Sequence, residues 1–169
     1  MAMSFRKLWI CAPLAILIFR LLGCLGASND PGRYSSHLEK FSIQLLVGWQ
    51  SIDPADGALV TVANPEKTVT ISVSCDNVAA GYTDKQALQH FNARGQDNSI
   101  FYSESGDALI AGMPGHWLKG ISGNQNFTSL LYFVIHSNRL YSIQFTARAE
   151  QFDNYQVQFD SIIQSFKFE

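Results

Sequence analysis

The strongest constraint on the fold of this 169-residue chain is a pair of apolar, β-prone stretches near its C-terminal end. Residues 129–136 read SLLYFVIH and residues 140–147 read LYSIQFTA, with Ser137-Asn138-Arg139 between them. Two such runs joined by a polar turn predict a β-hairpin. In the second, Tyr141, Ile143, Phe145 and Ala147 alternate with Ser142, Gln144 and Thr146, the period of a strand with one buried face. The same reading extends upstream. Phe41, Ile43 and Leu45 alternate with Ser42 and Gln44, and Val47-Gly48-Trp49 turns the chain. Residues 53–57, DPADG, are a strong turn signal. ALVTVA (58–63) and KTVTISVSC (67–75) predict two strands joined through Asn64-Pro65-Glu66, with Val69, Ile71, Val73 and Cys75 on one face. SIFYSE (99–104) reads as a short strand. ALIAGMPGHWLKGIS (108–122) reads as two short strands interrupted at Gly112-Met113-Pro114-Gly115.

Two segments change period. From Thr83, the residues TDKQALQHFNARGQ carry Ala87, Leu88 and Phe91 at helical spacing, with Thr83 and Gln86 placed for a capping box and Gly95 expected to end the helix. AEQFDNYQVQFDSIIQSF (149–166) predicts an amphipathic helix with Phe152, Tyr155, Phe159, Ile162 and Ile163 on one side. Strands followed and interrupted by helices give an α+β class: an antiparallel β-sheet flanked by helices. There is no internal repeat and no low-complexity stretch.

The N-terminus has another logic. MAMSFRK is a short basic start, and residues 8–19, LWICAPLAILIF, are a twelve-residue apolar run. That is the length of a signal-peptide core and short of the ~20 residues needed to cross a bilayer. Leu21-Leu22-Gly23-Cys24 follows and resembles the bacterial lipobox, in which the cysteine thiol receives a diacylglycerol before cleavage on its N-terminal side. Arg20 departs from the apolar residue usual at that place. Cleavage after Ala27, or an uncleaved anchor from residue 8 to about residue 26, are the other readings. The division expected is a lipoprotein-type signal peptide over 1–23, a lipidated N-terminus and polar tether over 24–38, and a globular domain over 39–169. Leu25, where an Asp would signal inner-membrane retention, leans the expected location to the outer membrane.

Charge fits an acyl anchor. The chain carries 12 basic and 14 acidic residues. Residues 1–23 hold Arg6, Lys7 and Arg20 and no acid, so the remainder has 9 basic against 14 acidic residues, a net charge of −5. That body has no electrostatic footprint for nucleic acid and no basic cluster for anionic lipid. Of the three cysteines, Cys11 lies in the apolar run; with Cys24 acylated, Cys75 has no partner for an intrachain disulfide.

The order of elements, with FSIQLLVGW (41–49), IAGMPGHWLKG (110–120) and the closing strand, helix and IIQSF (162–166), resembles the PsbP-like superfamily and, within it, the bacterial DcrB-like envelope lipoproteins. The resemblance covers roughly residues 39 to 168, and departs from it where Leu46 or Val47 stands in place of a usual proline. It implies an α/β/α sandwich around an antiparallel sheet. It implies no cofactor and no catalytic apparatus, since the superfamily consists mostly of accessory and binding proteins.

The residues themselves offer little catalytic chemistry. Gly120-Ile121-Ser122-Gly123-Asn124 lacks the spacing of a nucleophile elbow and reads as a turn. Cys75 reads as a buried structural thiol. Among His37, His90, His116 and His136 there is no metal-binding spacing. Glu150 with Asp153, three residues apart, reads as charge at a helix start. Asp53 and Asp56 are too few for a calcium loop. His116 and Trp117, beside the Gly-Met-Pro-Gly sequence, are the candidate ligand-binding pair. The expectation is a lipid-anchored, periplasm-facing accessory protein, not an enzyme, that binds an envelope protein or a small ligand. The alternatives are a hydrolase or metal-dependent enzyme with a site near His116, and a chaperone that holds apolar helices on an exposed sheet face.

Overall fold

The computed structural model describes residues 32–54 and 57–169. The chain forms two antiparallel sheets. The smaller has the order β1-β2-β10, from β1 (Arg33–Ser36), β2 (Phe41–Gln44) and β10 (Lys167–Phe168). The larger has seven strands in the order β3-β4-β5-β9-β8-β7-β6. Its strands are β3 (Gln50–Ile52), β4 (Val60–Ala63), β5 (Val69–Asn77), β6 (Ile100–Ile110), β7 (Met113–Ser122), β8 (Phe127–His136) and β9 (Arg139–Arg148). Helix α1 (Asp84–Asp97) lies between β5 and β6. A 3-10 turn at Phe152–Tyr155 leads into α2 (Gln156–Ser165).

The C-terminal hairpin is β8–β9, with Ile143 opposite Tyr132 and Phe145 opposite Leu130. Its turn has only two residues, Ser137 and Asn138, both at positive φ, and Arg139 already belongs to β9. Such a turn matches the right-handed twist of the strands it joins. The β4–β5 hairpin is closed by buried Asn64, whose Oδ1 accepts from the Thr68 and Val69 amides at 2.8 and 3.0 Å and whose amide nitrogen donates to Glu66 and Thr68.

Alternation gives the large sheet two unlike faces. On one, Val60, Val62, Val69, Ile71, Val73, Tyr141, Ile143, Phe145 and Ala147 form a continuous buried layer under α2 and the small sheet. Aromatic rings join the layers. Phe145 meets Phe159 at 4.4 Å, Phe159 meets Phe152 at 5.5 Å, and Phe41 stacks on Phe166 at 5.4 Å. The ring contacts of Tyr141 with Phe41 and Phe168 tie the small sheet to the large one. On the other face, Ala87 and Phe91 of α1 pack on Leu118, Leu131, Phe133 and Leu140, a smaller core. The helices therefore lie on opposite faces of one antiparallel sheet, as the α+β reading requires.

Several boundaries differ from the sequence-based expectation. The polar stretch before residue 39 is not all tether: Arg33–Ser36 is a strand, paired from Arg33 opposite Gln44 to Ser36 opposite Phe41. Three of its four side chains are polar although Ser35 is buried and the others half-buried, so no apolar alternation advertises it. Trp49 is followed by edge strand β3, and Phe166 by β10. The Gly112-Met113-Pro114-Gly115 interruption shrinks to a turn at Ala111-Gly112, both at positive φ, and β7 runs on through Pro114. Pro114 is tolerated because β7 pairs with β8 only from His116 onward. β6 has eleven residues, with a bulge between Tyr102 and Glu104.

Helix α1 opens with the capping box, in which the Thr83 amide donates to Gln86 Oε1 at 2.9 Å and the Gln86 amide donates to Thr83 Oγ1 at 3.3 Å. Gly95 does not end it, since the helix continues to Asp97. A Cβ at position 95 would stand 2.7 Å from the Tyr102 ring, so the glycine allows close helix-to-strand approach rather than a turn. The last amphipathic segment begins as a 3-10 turn and becomes α-helical at Gln156, with Phe152, Phe159, Ile162 and Ile163 buried. No helix among the described residues is long and apolar enough to cross a membrane.

Phe145 is wholly buried between the sheet and Phe159. Phe145→Ala should lower unfolding free energy in urea titrations by about 3–5 kcal/mol. Val157→Ala, at an exposed position of α2, should change it by less than about 0.5 kcal/mol.

Candidate ligand-binding groove

The position expected to carry lipid, Cys24, lies outside the described residues, as does Asp56. His116 and Trp117 are neighbours on β7, and strand geometry sends them to opposite faces. They therefore do not form the expected gripping pair. Trp117 packs into the α2-side core, its ring over Gly106 of β6, where a Cβ would come within 2.6 Å of the indole. His116 faces α1, next to the Phe133 ring. Its Nδ1 lies 3.0 Å from Asp107 and its Nε2 3.3 Å from Asp84, the first residue of α1.

This arrangement is a bridge between helix and edge hairpin. The two carboxylates contact opposite ring nitrogens, so no single cation could be shared by all three groups. Among the described residues no three His, Cys, Asp or Glu side chains are grouped to hold a metal ion. Asp107 is 94% exposed, which weakens its pairing by solvent screening. His90 is exposed on α1, and His136 stacks on Phe168 at 4.2 Å. Ser122 accepts from the Phe127 amide and donates to Asn124 Oδ1, which makes the Gly120 to Asn124 string a turn.

Cys75 is half-buried at the end of β5, beside Glu39 and Arg139. Arg139 donates to Glu39 and to the Leu38 carbonyl, and the Tyr141 hydroxyl donates to the Glu39 carbonyl. Burial first, and then the Glu39 carboxylate, push the thiol up to about 11. Such a thiol is a poor nucleophile at neutral pH.

The concave feature with converging polar groups is elsewhere, on the α1 side of the large sheet. Across β8 and β7 this face is apolar and covered by α1. Across β4, β5 and β9 it carries hydroxyls and an amide, and α1 does not cover it. Cross-strand register sets Thr61 opposite Ser72, Ser72 opposite Gln144, Ser74 opposite Ser142 and Thr70 opposite Thr146. Thr61 and Ser72 share a hydrogen bond of 3.0 Å, and Gln144 donates to Ser129 at 2.9 Å. Between this surface and the C-terminal half of α1 lies a groove of about 350 Å3. Phe91, Leu131 and Tyr102 form its apolar wall, and Ser72, Ser74, Ser142, Gln144 and Thr146 form its floor. That volume lies within the range of small-molecule sites. Burial raises the pKa of the Tyr102 phenol, so the ring stays neutral.

The signal for this floor stood in the sequence. Thr70, Ser72 and Ser74, and Ser142, Gln144 and Thr146, are the off-beat residues of two strands. They are all neutral, and five of the six are short, where a solvent-facing strand surface usually carries charge. Which helix would leave them open could not be read from the chain.

No protein-family model matches the sequence, and no curated protein does. Comparison with solved structures is decisive for the fold. The solution structure of CyanoP, the cyanobacterial PsbP of Synechocystis sp., matches with a TM-score of 0.65 at 16% identity, over 87% of this chain and 100% of that one. The fold is PsbP-like. LpqN, involved in cell envelope biogenesis of Mycobacterium tuberculosis, matches with a TM-score of 0.57 at 13% identity, over 82% of this chain and 86% of that one. The Ran-binding protein Mog1p of Saccharomyces cerevisiae matches with a TM-score of 0.54 at 8% identity, over 80% of this chain and 94% of that one. At these identities the likeness concerns architecture, and the groove and the His116 bridge of this PsbP-like domain are described from its own residues.

Native Cys75 should react with iodoacetamide at pH 8 about 100-fold more slowly than after unfolding in urea, read by mass spectrometry of its peptide. The folded-state pKa is the higher one, so the contribution of this thiol to stability is complete below pH 9. It is lost as pH rises from 9.0 towards about 11.

Proposed function

We propose that this protein is a lipid-anchored accessory component of a bacterial cell envelope, held to the membrane by acyl chains on Cys24, and that it works by binding rather than by catalysis. The observation that carries this reading is Leu21-Leu22-Gly23-Cys24 after a basic start and a twelve-residue apolar run, ahead of a PsbP-like domain. Two or three acyl chains anchor far more firmly than one. Surface charge offers no substitute, because the chain beyond residue 23 is acidic. The same fold in LpqN, a protein of cell envelope biogenesis, supports an envelope role. Its use by a Ran-binding protein supports a binding role. The partner is an envelope protein or a small ligand and not a nucleic acid, for which the acidic body has no attraction.

His116 has the carboxylate neighbours that an enzyme reading would need. Among the described residues, however, no serine, threonine or cysteine side chain hydrogen-bonds to it, so it has no nucleophile to activate. A bridge between α1 and β7 accounts for its contacts.

In cells labelled with radioactive palmitate, Cys24→Ala should lose the label, remain an uncleaved precursor and lack the mass of acyl chains. A variant that matures and partitions into membranes like the parent would overturn the lipoprotein reading.

A further inference from the structure

We infer that the groove between α1 and the β5–β9 face is a binding site for a neutral, hydroxyl-rich ligand of mono- or disaccharide size. This rests on the reading that the protein works by binding, and it is independent of how the chain is anchored. The decisive observation is the directly opposed pair Ser74 and Ser142. They are only 8% and 6% exposed, and both line the groove. Their neighbours Thr61, Ser72, Gln144 and Ser129 are hydrogen-bonded among themselves. Ser74 and Ser142 make no side-chain hydrogen bond with any described residue. The serine residues are mostly covered, but their hydroxyls open into the groove, where a ligand can pair with them in place of water. Two such groups side by side at the floor of a groove present donors and acceptors that no protein side chain uses, which suits a ligand bearing hydroxyls.

The chemistry of the lining defines the ligand class. Among the described lining residues there is no carboxylate and no lysine. Arg94 lies at the edge and already has a partner. An anion would therefore find little to neutralise it, and a cation nothing at all. Hydroxyls and amides both donate and accept, so the floor suits groups that do the same. Of the apolar wall, Phe91 and Leu131 are almost fully buried, and the partly exposed Tyr102 ring is what can meet the C–H face of a sugar ring. A volume of about 350 Å3 admits one or two such rings and excludes a folded polypeptide.

The test uses the full chain, purified in a detergent without a sugar headgroup. Isothermal titration is carried out with maltose, cellobiose and N,N′-diacetylchitobiose, and with inorganic phosphate and succinate as anionic probes. At least one neutral disaccharide should bind saturably. The double variant Ser74→Ala/Ser142→Ala should weaken that binding at least about tenfold, with an unchanged or higher melting temperature, because these hydroxyls have no protein partner to lose. The inference falls if none of the three sugars binds, if binding is the same in the double variant, or if only the anions bind. Acylation of Cys24, read by intact mass on the same preparation, stands or falls separately. A lipidated protein that binds no sugar would remove this inference alone.

Discussion

Burial of one face of the seven-stranded sheet is the constraint on which the rest of the molecule depends. β4, β5 and β9 contribute an unbroken apolar layer on that side, from Val60 and Val62 through Ile71 and Val73 to Ile143 and Phe145. Nothing in a single sheet can cover such a layer, so it recruits α2 on one part and the small β1-β2-β10 sheet on the other. Aromatic rings make the junctions. Phe159 reaches Phe145 from α2, while Phe41 and Phe168 of the small sheet and Phe166 at the end of α2 close around Tyr141. Aromatic pairs of this kind add roughly 0.5–1.5 kcal/mol each beyond the area they bury. The ends of the described chain are thereby held in the core: β1 and β10 flank β2, although they lie more than a hundred residues apart.

With one face committed to stability, the other is free to differ along its width. Where β7 and β8 present Leu118, Leu131 and Phe133, α1 packs down through Ala87 and Phe91. Gly95 lets the last turn of that helix approach Tyr102 closely, which sets the height of the groove wall. Where β5 and β9 present serine, threonine and glutamine, no helix has apolar residues to gain by covering them. The groove is the step between the apolar half under α1 and the hydroxyl-bearing half beside it. His116 lies on the same face, in the same cross-strand row as Ser74 and Ser142 but two strands further on, and its contacts with Asp84 and Asp107 pin the N-terminal end of α1. Its role in the groove is indirect, since it helps to hold the helix that forms the wall.

The PsbP-like fold is shared by proteins with different tasks, so it cannot choose among them. Two features of this sequence are not dictated by the fold: the lipobox-like run around Cys24, and the particular residues on the off-beat positions of β5 and β9. In the proposed function the first sets where the domain works, and in the further inference the second sets what it holds.

Local chemistry was legible in the residues alone. Period-two alternation gave the β4–β5 and β8–β9 hairpins, Thr83 and Gln86 gave the start of α1, and the spacing of Phe159, Ile162 and Ile163 gave the buried side of α2. These follow from nearest-neighbour geometry, which a sequence records directly. Strand β1 carries no local signal, because three of its four side chains are polar and its pairing depends on where β2 lies. The roles of Gly95 and the Gly-Met-Pro-Gly stretch do not show in the local sequence, because they are set by Tyr102 and by β8, distant in the chain. Likewise, His116 and Trp117 look like a pair in the chain, but the pleat places them on opposite sides of the sheet. The groove could be decided only in three dimensions, because it depends on which half of a sheet face a helix covers, and that is settled by packing between elements rather than within them.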